Sequence, residues 1–309
     1  NIPEVKKIKK ISIKKDINLS LIHNEFNGIQ LISHKFEKEK QILEIKFKKI
    51  KYKIHLNLIG KIQVKNILMA IMAAYKSGIK FKKILKILPR ISPVEGRLEK
   101  IGKIRNNSKV ILDYAHTPAA LKLALLNLKE QFPFSRINLI FGCGGERDLK
   151  KRPLMGKIAE KYSNEIYLTD DNPRNEEPLR IRNEIKKGIR NKKIYEIPNR
   201  KKAIQEAVKN LKTGDILLVA GKGHEKTQDF GKKITFFSDQ KVILDSIRLK
   251  NKFLSKNIKL NIIQEQSKVS LSNKIPIKDI SINSKSIKKN DIFFAIKGKN
   301  VDGNNYVSE

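Results

Sequence analysis

The stretch KVILDYAHTPAALKLALLNLKEQFPFSRINLIFGCGG, residues 109–145, decides the fold class of this chain. Its two ends, KVILDYA (109–115) and INLIFGCGG (137–145), are short apolar runs of the kind that form buried strands. Residues 118–131 between them repeat leucine and alanine at helical spacing. Two buried strands separated by such a helix indicate a βαβ unit, and therefore an α/β fold with a parallel sheet.

The same alternation continues towards the C-terminus as far as residue 249. Three further apolar runs predict strands at EIYLTDD (165–171), KIYEI (193–197) and DILLVAGKG (215–223). Helical spacing separates and follows these runs, with helices predicted near 153–162, 177–190, 201–211 and 240–249. We therefore expect a parallel sheet flanked by helices.

Both ends of the chain follow different patterns. Short alternating runs over residues 8–59 suit half-buried antiparallel strands, and residues 61–88 change to two helices, the second ended by Pro89. Residues 250–274 lose the rhythm and are rich in Lys, Asn and Ser, which indicates a linker. Short strand-like runs resume over residues 275–307 and predict the start of another small domain.

The 309-residue chain carries a formal net charge of +36, which invites a nucleic-acid interpretation. Lys outnumbers Arg by 55 to 12, although direct readers of bases and phosphates favour the arginine fork. The excess is also even, at +15, +14 and +7 over residues 1–96, 97–249 and 250–309. We therefore attribute the charge to background composition and expect no nucleic-acid partner, while an acidic or phosphorylated small substrate remains compatible.

Three features of the sequence indicate where in the cell the protein is found. The single cysteine, Cys143, excludes an internal disulfide framework and favours a reducing compartment, so we expect a cytoplasmic protein. No apolar run reaches the ~18 residues needed to cross a membrane, and the first ten residues lack a signal-peptide core. The chain starts at Asn1 rather than Met, which suggests a fragment or a processed product.

Unusual polar residues follow four of the predicted strands. In an open parallel sheet, ligands bind beyond the carboxyl ends of the strands, which meet at one edge. The four clusters at those ends combine glycine with charged and amide side chains: DYAHTP (113–118), GCGGERD (142–148), TDDNPR (169–174) and GKGHE (221–225). Four such clusters at one predicted edge indicate a ligand site.

Each cluster also has a purely structural interpretation, which the residues alone leave open. Asp113 and Thr117 are of a common helix-capping type, the glycines at 142–145 suit plain turns, and Asn172 before proline is a frequent turn residue. His224 is more often structural than catalytic, and Cys143 suits a small space-filler. The sequence contains no Walker A motif, no catalytic triad and no metal-ligand spacing. The spacing of its residues therefore predicts a ligand-binding α/β domain and no particular reaction.

Five segments in order closely resemble the ATP-dependent Mur ligases, of the type that adds meso-2,6-diaminopimelate. They are EGRLEK (95–100), DYAHTP (113–118), FGCGGERDLKKRPLMG (141–156), TDDNPRNEEP (169–178) and AGKGHE (220–225). The resemblance covers about residues 1–250 and implies a peptidoglycan-precursor ligase of three domains. It also implies that ATP and Mg²⁺ activate the carboxylate of UDP-MurNAc-L-Ala-D-Glu as an acyl phosphate, which the amine of diaminopimelate then attacks.

The resemblance assigns a domain to each segment. Residues 1–95 match the second half of the central ATP-binding domain, and residues 96–250 match a Rossmann-like C-terminal domain. Residues 251–274 are then a linker. Residues 275–309 resemble the start of a second Mur ligase, of the type that adds D-alanyl-D-alanine, with Asn283-Ser284-Lys285 in place of the usual Asp-Ser-Arg. We expect a segment of a fusion of two ligases, with a read-through junction or a decaying gene as the competing account.

The resemblance also implies two sets of site residues. Four residues are implied in nucleotide binding: Asn66, Arg97, Asp113 and His116. Six residues are implied in the amino-acid pocket: Arg147, Asp171, Asn172, Arg174, Gly221 and Glu225. Ile62 and Gln63 depart from the usual Phe-Asn before Asn66. The second set offers both charge signs, as a zwitterionic side arm needs.

Several parts of this family would lie before Asn1, namely the phosphate-binding loop, the Mg²⁺ ligands and the UDP-binding domain. We therefore expect neither catalytic residues nor metal ligands within the chain as given, and we expect it to bind parts of the substrates without catalysis by itself. The competing hypothesis is a non-catalytic remnant or ligand-binding scaffold for partner ligases.

Overall fold

The computed structural model describes residues 28–267 of the chain, together with residues 11, 280–281, 287 and 292–293. Within the long helix that ends the first range, side chains are described as far as residue 255. The chain forms two compact units, Asn1–Lys252 and Phe253–Glu309. The first unit contains two hydrophobic cores. The domain boundary predicted at residues 95/96 lies inside this unit and stays a prediction.

The first core is built on an antiparallel sheet of three strands, β1 (Gln30–Glu37), β2 (Lys40–Phe47) and β3 (Ile50–Leu56). Alternate residues of β2 are buried, as expected where a sheet turns one face to the core. The antiparallel strands predicted from the alternating runs are thereby confirmed for residues 30–56. Residues 12–27, which belong to the same prediction, lie outside the described residues.

Two helices complete this core, α1 (Ile62–Lys76) and α2 (Phe81–Ile87), and a 3-10 turn follows at Leu88–Arg90. The ring of Phe81 stacks on the ring of Phe47, with the centroids 4.2 Å apart. The buried apolar side chains of sheet and helices form one cluster, and removal of this area from water stabilises the packing. The two predicted helices are confirmed.

The second core is built on a six-stranded sheet with the order β4-β5-β9-β6-β7-β8. Its strands are β4 (Glu99–Lys103), β5 (Lys109–Asp113), β6 (Ile137–Phe141), β7 (Glu165–Leu168), β8 (Ile194–Glu196) and β9 (Ile216–Ala220). β5 to β9 pair in parallel, so the predicted parallel sheet is confirmed. β4 pairs with β5 in the antiparallel sense at the sheet edge, which the apolar pattern did not predict.

Four helices connect these strands: α3 (Pro118–Gln131), α4 (Lys151–Tyr162), α5 (Pro178–Lys186) and α6 (Arg200–Asn210). All five residues of β9 are buried, because the strand lies between β5 and β6 in the middle of the sheet. The carboxyl ends of β5, β9, β6 and β7 therefore lie side by side at one edge of the sheet, as a parallel arrangement requires.

A small hairpin and a long helix follow β9. The hairpin consists of β10 (Thr227–Asp229) and β11 (Ile234–Phe236), and the helix α7 spans Asp239–Ser267. The start of α7 is held by Asp239, whose carboxylate accepts two hydrogen bonds from the guanidinium of Arg200 at 2.7 and 2.8 Å. Both side chains are fully buried.

Helix α7 is longer than predicted. The sequence pattern predicts a closing helix over residues 240–249 and a linker over residues 251–274, whereas residues 251–267 continue the helix. Lys, Asn and Ser obscure the pattern there, although leucine and isoleucine still recur at helical distances.

The described part of the second unit is small. Beyond α7 it contains a parallel pair of two-residue strands, β12 (Ile280–Ser281) and β13 (Ile292–Phe293). The rest of the tail, including Asn283-Ser284-Lys285, lies outside the described residues. Among the described helices, none has both the length and the apolar character needed to cross a membrane.

Candidate nucleotide and amino-acid sites

The four polar clusters predicted at the strand ends meet at one edge of the sheet. The backbone N–H of Gly221 donates to the carbonyl oxygen of Asp113 at 3.2 Å, which joins the ends of β9 and β5. The backbone N–H of Gly145 donates to the carbonyl oxygen of Asn172 at 2.9 Å, which joins the loops after β6 and β7. The sheet edge therefore brings together residues up to about 110 positions apart in the sequence.

A cavity of about 380 Å³ lies between helices α1 and α3. Three of the four predicted nucleotide residues, Asn66, Arg97 and Asp113, line it together with Gln63. Its remaining lining is mostly apolar: Ile62, Val94, Leu98, Ala120, Leu123, Ala124 and Asn127. A largely apolar cavity with a few convergent polar groups has the character of a small-molecule site.

The fourth predicted nucleotide residue, His116, lies outside the lining of this cavity. Its side chain is exposed, and Nδ1 lies 2.8 Å from the carbonyl oxygen of Tyr114. The ring packs edge-on against the ring of Tyr114, with the centroids 4.6 Å apart. His116 is therefore exposed next to Tyr114 and does not line the cavity.

Asp113 ties two backbone segments together at the mouth of the cavity. Its Oδ2 accepts a hydrogen bond from the N–H of Leu98, and its Oδ1 accepts one from the N–H of Ala115, both at 2.8 Å. Burial raises the pKa of Asp113, while these donors and the charge of Arg97 act in the opposite direction. Of the two residues suggested as helix caps, Thr117 caps α3, because its side chain accepts a hydrogen bond from the N–H of Ala120.

Polar side chains of α3 fix the start of α1. The side-chain oxygen of Asn127 accepts from the N–H of Ile62 at 3.0 Å, and that of Gln131 accepts from the N–H of Gly60 at 2.8 Å. The first N–H groups of a helix lack partners inside the helix, so Asn127 satisfies that of Ile62, while Gln131 holds the turn that leads into the helix. Asn127 and Gln131 therefore position Asn66 at the cavity, a role that their sequence context did not indicate.

The predicted amino-acid pocket is organised around Lys222, which the sequence analysis did not single out. Its side chain is fully buried, and Nζ donates to Asn172 Oδ1 at 2.8 Å and to Glu225 Oε2 at 3.0 Å. Asn172 Nδ2 donates to the same oxygen of Glu225 at 3.0 Å. The three side chains form a closed network, and a buried lysine can be accommodated because it has these partners.

Two carboxylates of this pocket differ in their electrostatic surroundings. Burial alone would raise the pKa of Glu225, but the hydrogen bond and charge of Lys222 outweigh it, so the pKa of Glu225 is lowered. Burial raises the pKa of Asp171 even though Arg200 and Lys222 oppose it. Glu225 is therefore the residue better suited to hold a negative charge towards an ammonium group.

Gly221 approaches Asp171 too closely for any side chain. Its φ of +113° is unfavourable for residues with a Cβ atom, and a Cβ placed there would lie 2.4 Å from Asp171 Oδ2. The two predicted pocket residues are thus in direct contact. The glycine has a structural requirement in addition to any contact with a ligand.

The two predicted carboxylate-binding arginines lie in different environments. Arg174 donates from Nη1 to the carbonyl oxygen of Gly145 at 2.7 Å, and its Nε lies 3.8 Å from Asp229 Oδ2. Its φ of 52° is left-handed, which is uncommon for a non-glycine residue. Arg147 is exposed and makes no ion pair with any residue of the described part of the chain. Arg147 is therefore the freer of the two cations.

Comparison with known proteins identifies the family of this domain. Residues 96–223 match the family profile described as Mur ligase, glutamate ligase domain. This part of the chain belongs to the Mur ligase family. Over 204 residues the chain is 44% identical to the UDP-N-acetylmuramoyl-L-alanyl-D-glutamate--2,6-diaminopimelate ligase of Rickettsia typhi, which covers 66% of this chain and 41% of that protein.

Two further likenesses extend over more of the chain. A ligase of the same name from Buchnera aphidicola is 42% identical over 251 residues, which covers 79% of this chain and 49% of that protein. A solved structure of a protein of that name is similar with a TM-score of 0.60 and 27% identity, covering 80% of this chain and 52% of that chain. The chain thus spans about half the length of the relatives it matches, and the Mur ligase fold is confirmed.

A buried arginine holds the loops of the candidate amino-acid pocket in place. Arg152 donates to both oxygens of Glu176 at 2.9 Å and to Glu184 Oε2 at 2.7 Å, and its side chain is fully buried. Nη2 also lies 3.3 Å from the carbonyl oxygen of Gly144. Arg152 therefore fixes the glycine loop after β6. The local sequence around Arg152 gives no pattern that would predict these partners.

Cys143 and possible metal ligands complete the description of this domain. Burial raises the pKa of the Cys143 thiol to about 12, so the buried thiol stays protonated. This agrees with the role of space-filler expected from the sequence. Among the described residues, no group of three His, Cys, Asp or Glu side chains could hold a metal ion.

Proposed function

We propose that the chain contributes the C-terminal part of an ATP-dependent amide ligase of the MurE type. In the proposed reaction, the γ-phosphoryl group of ATP would pass to the carboxylate of UDP-MurNAc-L-Ala-D-Glu with release of ADP. The amine of meso-2,6-diaminopimelate would then attack the acyl phosphate, which forms the amide and releases phosphate, and Mg²⁺ would supply charge stabilisation to the phosphates. The observation that carries the proposal is the closed network of Asn172, Lys222 and Glu225 beside Arg174 at the sheet edge. This pocket offers both charge signs to a zwitterion.

The acceptor amino acid would be held by charge complementarity. Arg147 and Arg174 would hold a carboxylate, for which the guanidinium fork is well suited. Glu225 and the carbonyl oxygen of Gly221 would receive an ammonium group. Asp171 would support Gly221 through their direct contact. These residues bind and orient the amino acid, which raises the effective concentration of its amine at the acyl group.

The nucleotide would be held in the cavity between α1 and α3. Its volume of about 380 Å³ and largely apolar lining suit a base and a sugar, with Arg97, Asp113 and Asn66 as the polar contacts. His116 would contribute from beside the cavity. The described residues contain no group of His, Cys, Asp or Glu side chains that could hold Mg²⁺, so we propose that its ligands come from other parts of the ligase.

Calorimetric titration of the full chain tests the acceptor assignment. L-Lysine matches diaminopimelate except that it lacks the second carboxylate. We expect meso-diaminopimelate to bind about 10- to 100-fold more tightly than L-lysine, because a charged hydrogen-bond pair contributes about 1.5–3 kcal/mol. Equal affinities, or no binding of diaminopimelate, would contradict the proposal.

We also propose that residues 275–309 begin a ligase of the MurF type joined to the first. The support is the family-like run DIFFAIKGKNVDG (291–303), most of which lies outside the described residues. Antibodies raised separately against residues 96–250 and 275–309 test the fusion on cell extracts. Detection of one common band would support it, whereas two separate bands would contradict it.

A further inference from the structure

Tyr114 lies between the two candidate sites and contacts residues of both. The guanidinium carbon of Arg97 lies 4.8 Å from the centroid of its ring, within the range of a cation–π contact. The phenol also interacts with the carboxylate of Glu225, and the ring of the preceding residue, His224, lies 5.5 Å from the ring of Tyr114. Tyr114 thus joins a residue of the nucleotide cavity to a residue of the amino-acid pocket.

The backbone around Tyr114 leaves little free space. A Cβ added to Gly223 would lie 2.8 Å from Tyr114 Cβ, and a Cβ added to Gly96 would lie 2.5 Å from the backbone nitrogen of His224. The ring of His224 lies 5.5 Å from that of Tyr114. Three chain segments therefore pack directly against one another here, and a displacement of one must move its neighbours.

The two charged residues that interact with Tyr114 carry opposite charges. Arg97 is exposed and positively charged, so it is free to reorient towards an anionic ligand in the cavity that it lines. A cation over the ring makes the phenol a stronger hydrogen-bond donor, and the acceptor on this side is Glu225. Movement of Arg97 would therefore change how firmly the phenol holds the carboxylate.

We infer that Tyr114 is a positioning residue shared by the two sites, which couples nucleotide binding at Arg97 to amino-acid binding at Glu225. The inference rests on the proposed function, because it takes the ligands of both sites from it. Coupling of this kind is reciprocal, so each ligand changes the affinity for the other by the same factor. The ring receives the effect of Arg97, and the phenol hydroxyl passes it on to Glu225.

Titrations on the full chain test this coupling. The affinity for meso-diaminopimelate is measured with and without saturating ADP, and the affinity for ADP with and without saturating diaminopimelate. We expect the same change of about 3- to 10-fold in both directions. Tyr114→Phe keeps the ring and removes the hydroxyl, and we expect it to bring the factor close to one while ADP alone binds within about twofold of its original affinity.

A matched control shows whether the effect belongs to the hydroxyl of Tyr114 or follows from the loss of any tyrosine hydroxyl. Tyr195 lies on β8 and stacks on Tyr167, remote from β5 in the strand order, and Tyr195→Phe should retain the full coupling factor. Independent binding of both ligands to the original chain, or full coupling in Tyr114→Phe, would overturn the inference alone. Failure of the original chain to bind either ligand would overturn the proposed function and the inference with it.

Discussion

The side-chain oxygen of Asn172 accepts a 2.8 Å hydrogen bond from the fully buried ammonium of Lys222. The same oxygen accepts from the N–H of Asp229 at 3.1 Å, and the amide nitrogen donates to Glu225 at 3.0 Å. An ammonium group only donates, so Lys222 fixes which end of the amide faces it. The orientation of Asn172 is therefore set by the protein before a ligand binds, which is a form of preorganisation.

Replacement of Lys222 should disturb this network. Lys222→Met keeps most of the volume but removes the cation beside Glu225, and we expect the free energy of unfolding to fall by about 2–3 kcal/mol. Urea unfolding measures the loss. Lys226→Met in the same loop is the control, since Lys226 is exposed and its change should stay within about 0.5 kcal/mol. Equal effects of the two variants would show that Lys222 does not organise the pocket.

Substitution of the two candidate pocket arginines should weaken ligand binding in both cases but lower thermal stability in only one. We expect Arg174→Ala and Arg147→Ala each to weaken meso-diaminopimelate binding by about 2–3 kcal/mol, as measured by calorimetry. Arg174→Ala should also lower the melting temperature, because it removes the hydrogen bond to the carbonyl oxygen of Gly145. Arg147→Ala should leave the melting temperature unchanged. Unaltered amino-acid binding in both variants would remove these residues from the site.

Gly221 and Gly214 allow the close approach to Asp171 to be tested apart from backbone strain. Both have left-handed φ angles, +113° and +77°, but a Cβ at Gly214 would meet nothing within 4 Å. We expect Gly214→Ala to cost about 1–2 kcal/mol from strain. Gly221→Ala should cost distinctly more, because Asp171 must move. Thermal unfolding of both variants gives the comparison, and a smaller cost at Gly221 would refute the contact.

The Arg152 cluster predicts a pH dependence of stability. The hydrogen bonds and charge of Arg152 hold the pKa of Glu184 below its ordinary value of 4.5. A carboxyl whose pKa is lowered by folding binds protons more tightly in the unfolded chain, so acid favours unfolding. We expect Glu184→Gln to cost about 1–2 kcal/mol at neutral pH. This difference from the original chain should persist above about pH 4.5 and shrink as the pH falls further.

A surface pair provides the control for this pH experiment. Glu206 lies 3.7 Å from Lys209 with both side chains largely exposed, so Glu206→Gln should change stability by less than about 0.5 kcal/mol at any pH. Urea unfolding over a range of pH values measures both variants. A pH-independent cost of Glu184→Gln would mean that its charge does not matter to the cluster.

The parallel sheet and the polar clusters at its edge were predictable because both leave local signals. Buried parallel strands form continuous apolar runs, and the runs ending at Asp113, Phe141 and Ala220 were recognised for that reason. Polar clusters directly after such runs must meet at one edge. The strand β4 gave no such signal, since EKIGK at the sheet edge contains a single large apolar residue.

The interactions that organise the sites were less predictable, because they join distant parts of the sequence. Lys222 is followed by glycine and histidine in a loop, and only the fold shows that it meets Asn172, 50 residues earlier. Likewise, Tyr114 stood inside a recognised motif, but its position between Arg97 and Glu225 depends on three separate loops. Side-chain networks of this kind follow from the packing and not from local spacing.

The Arg200–Asp239 pair has a consequence for how this sequence can drift. The guanidinium of Arg200 donates to both oxygens of Asp239 and to the carbonyl oxygen of Ala220. A lysine offers one nitrogen on a flexible stem and cannot reproduce this planar fork. The preference of this sequence for lysine over arginine therefore does not extend to this buried position. At a position where one side chain must donate to both buried oxygens of a carboxylate, lysine cannot replace arginine.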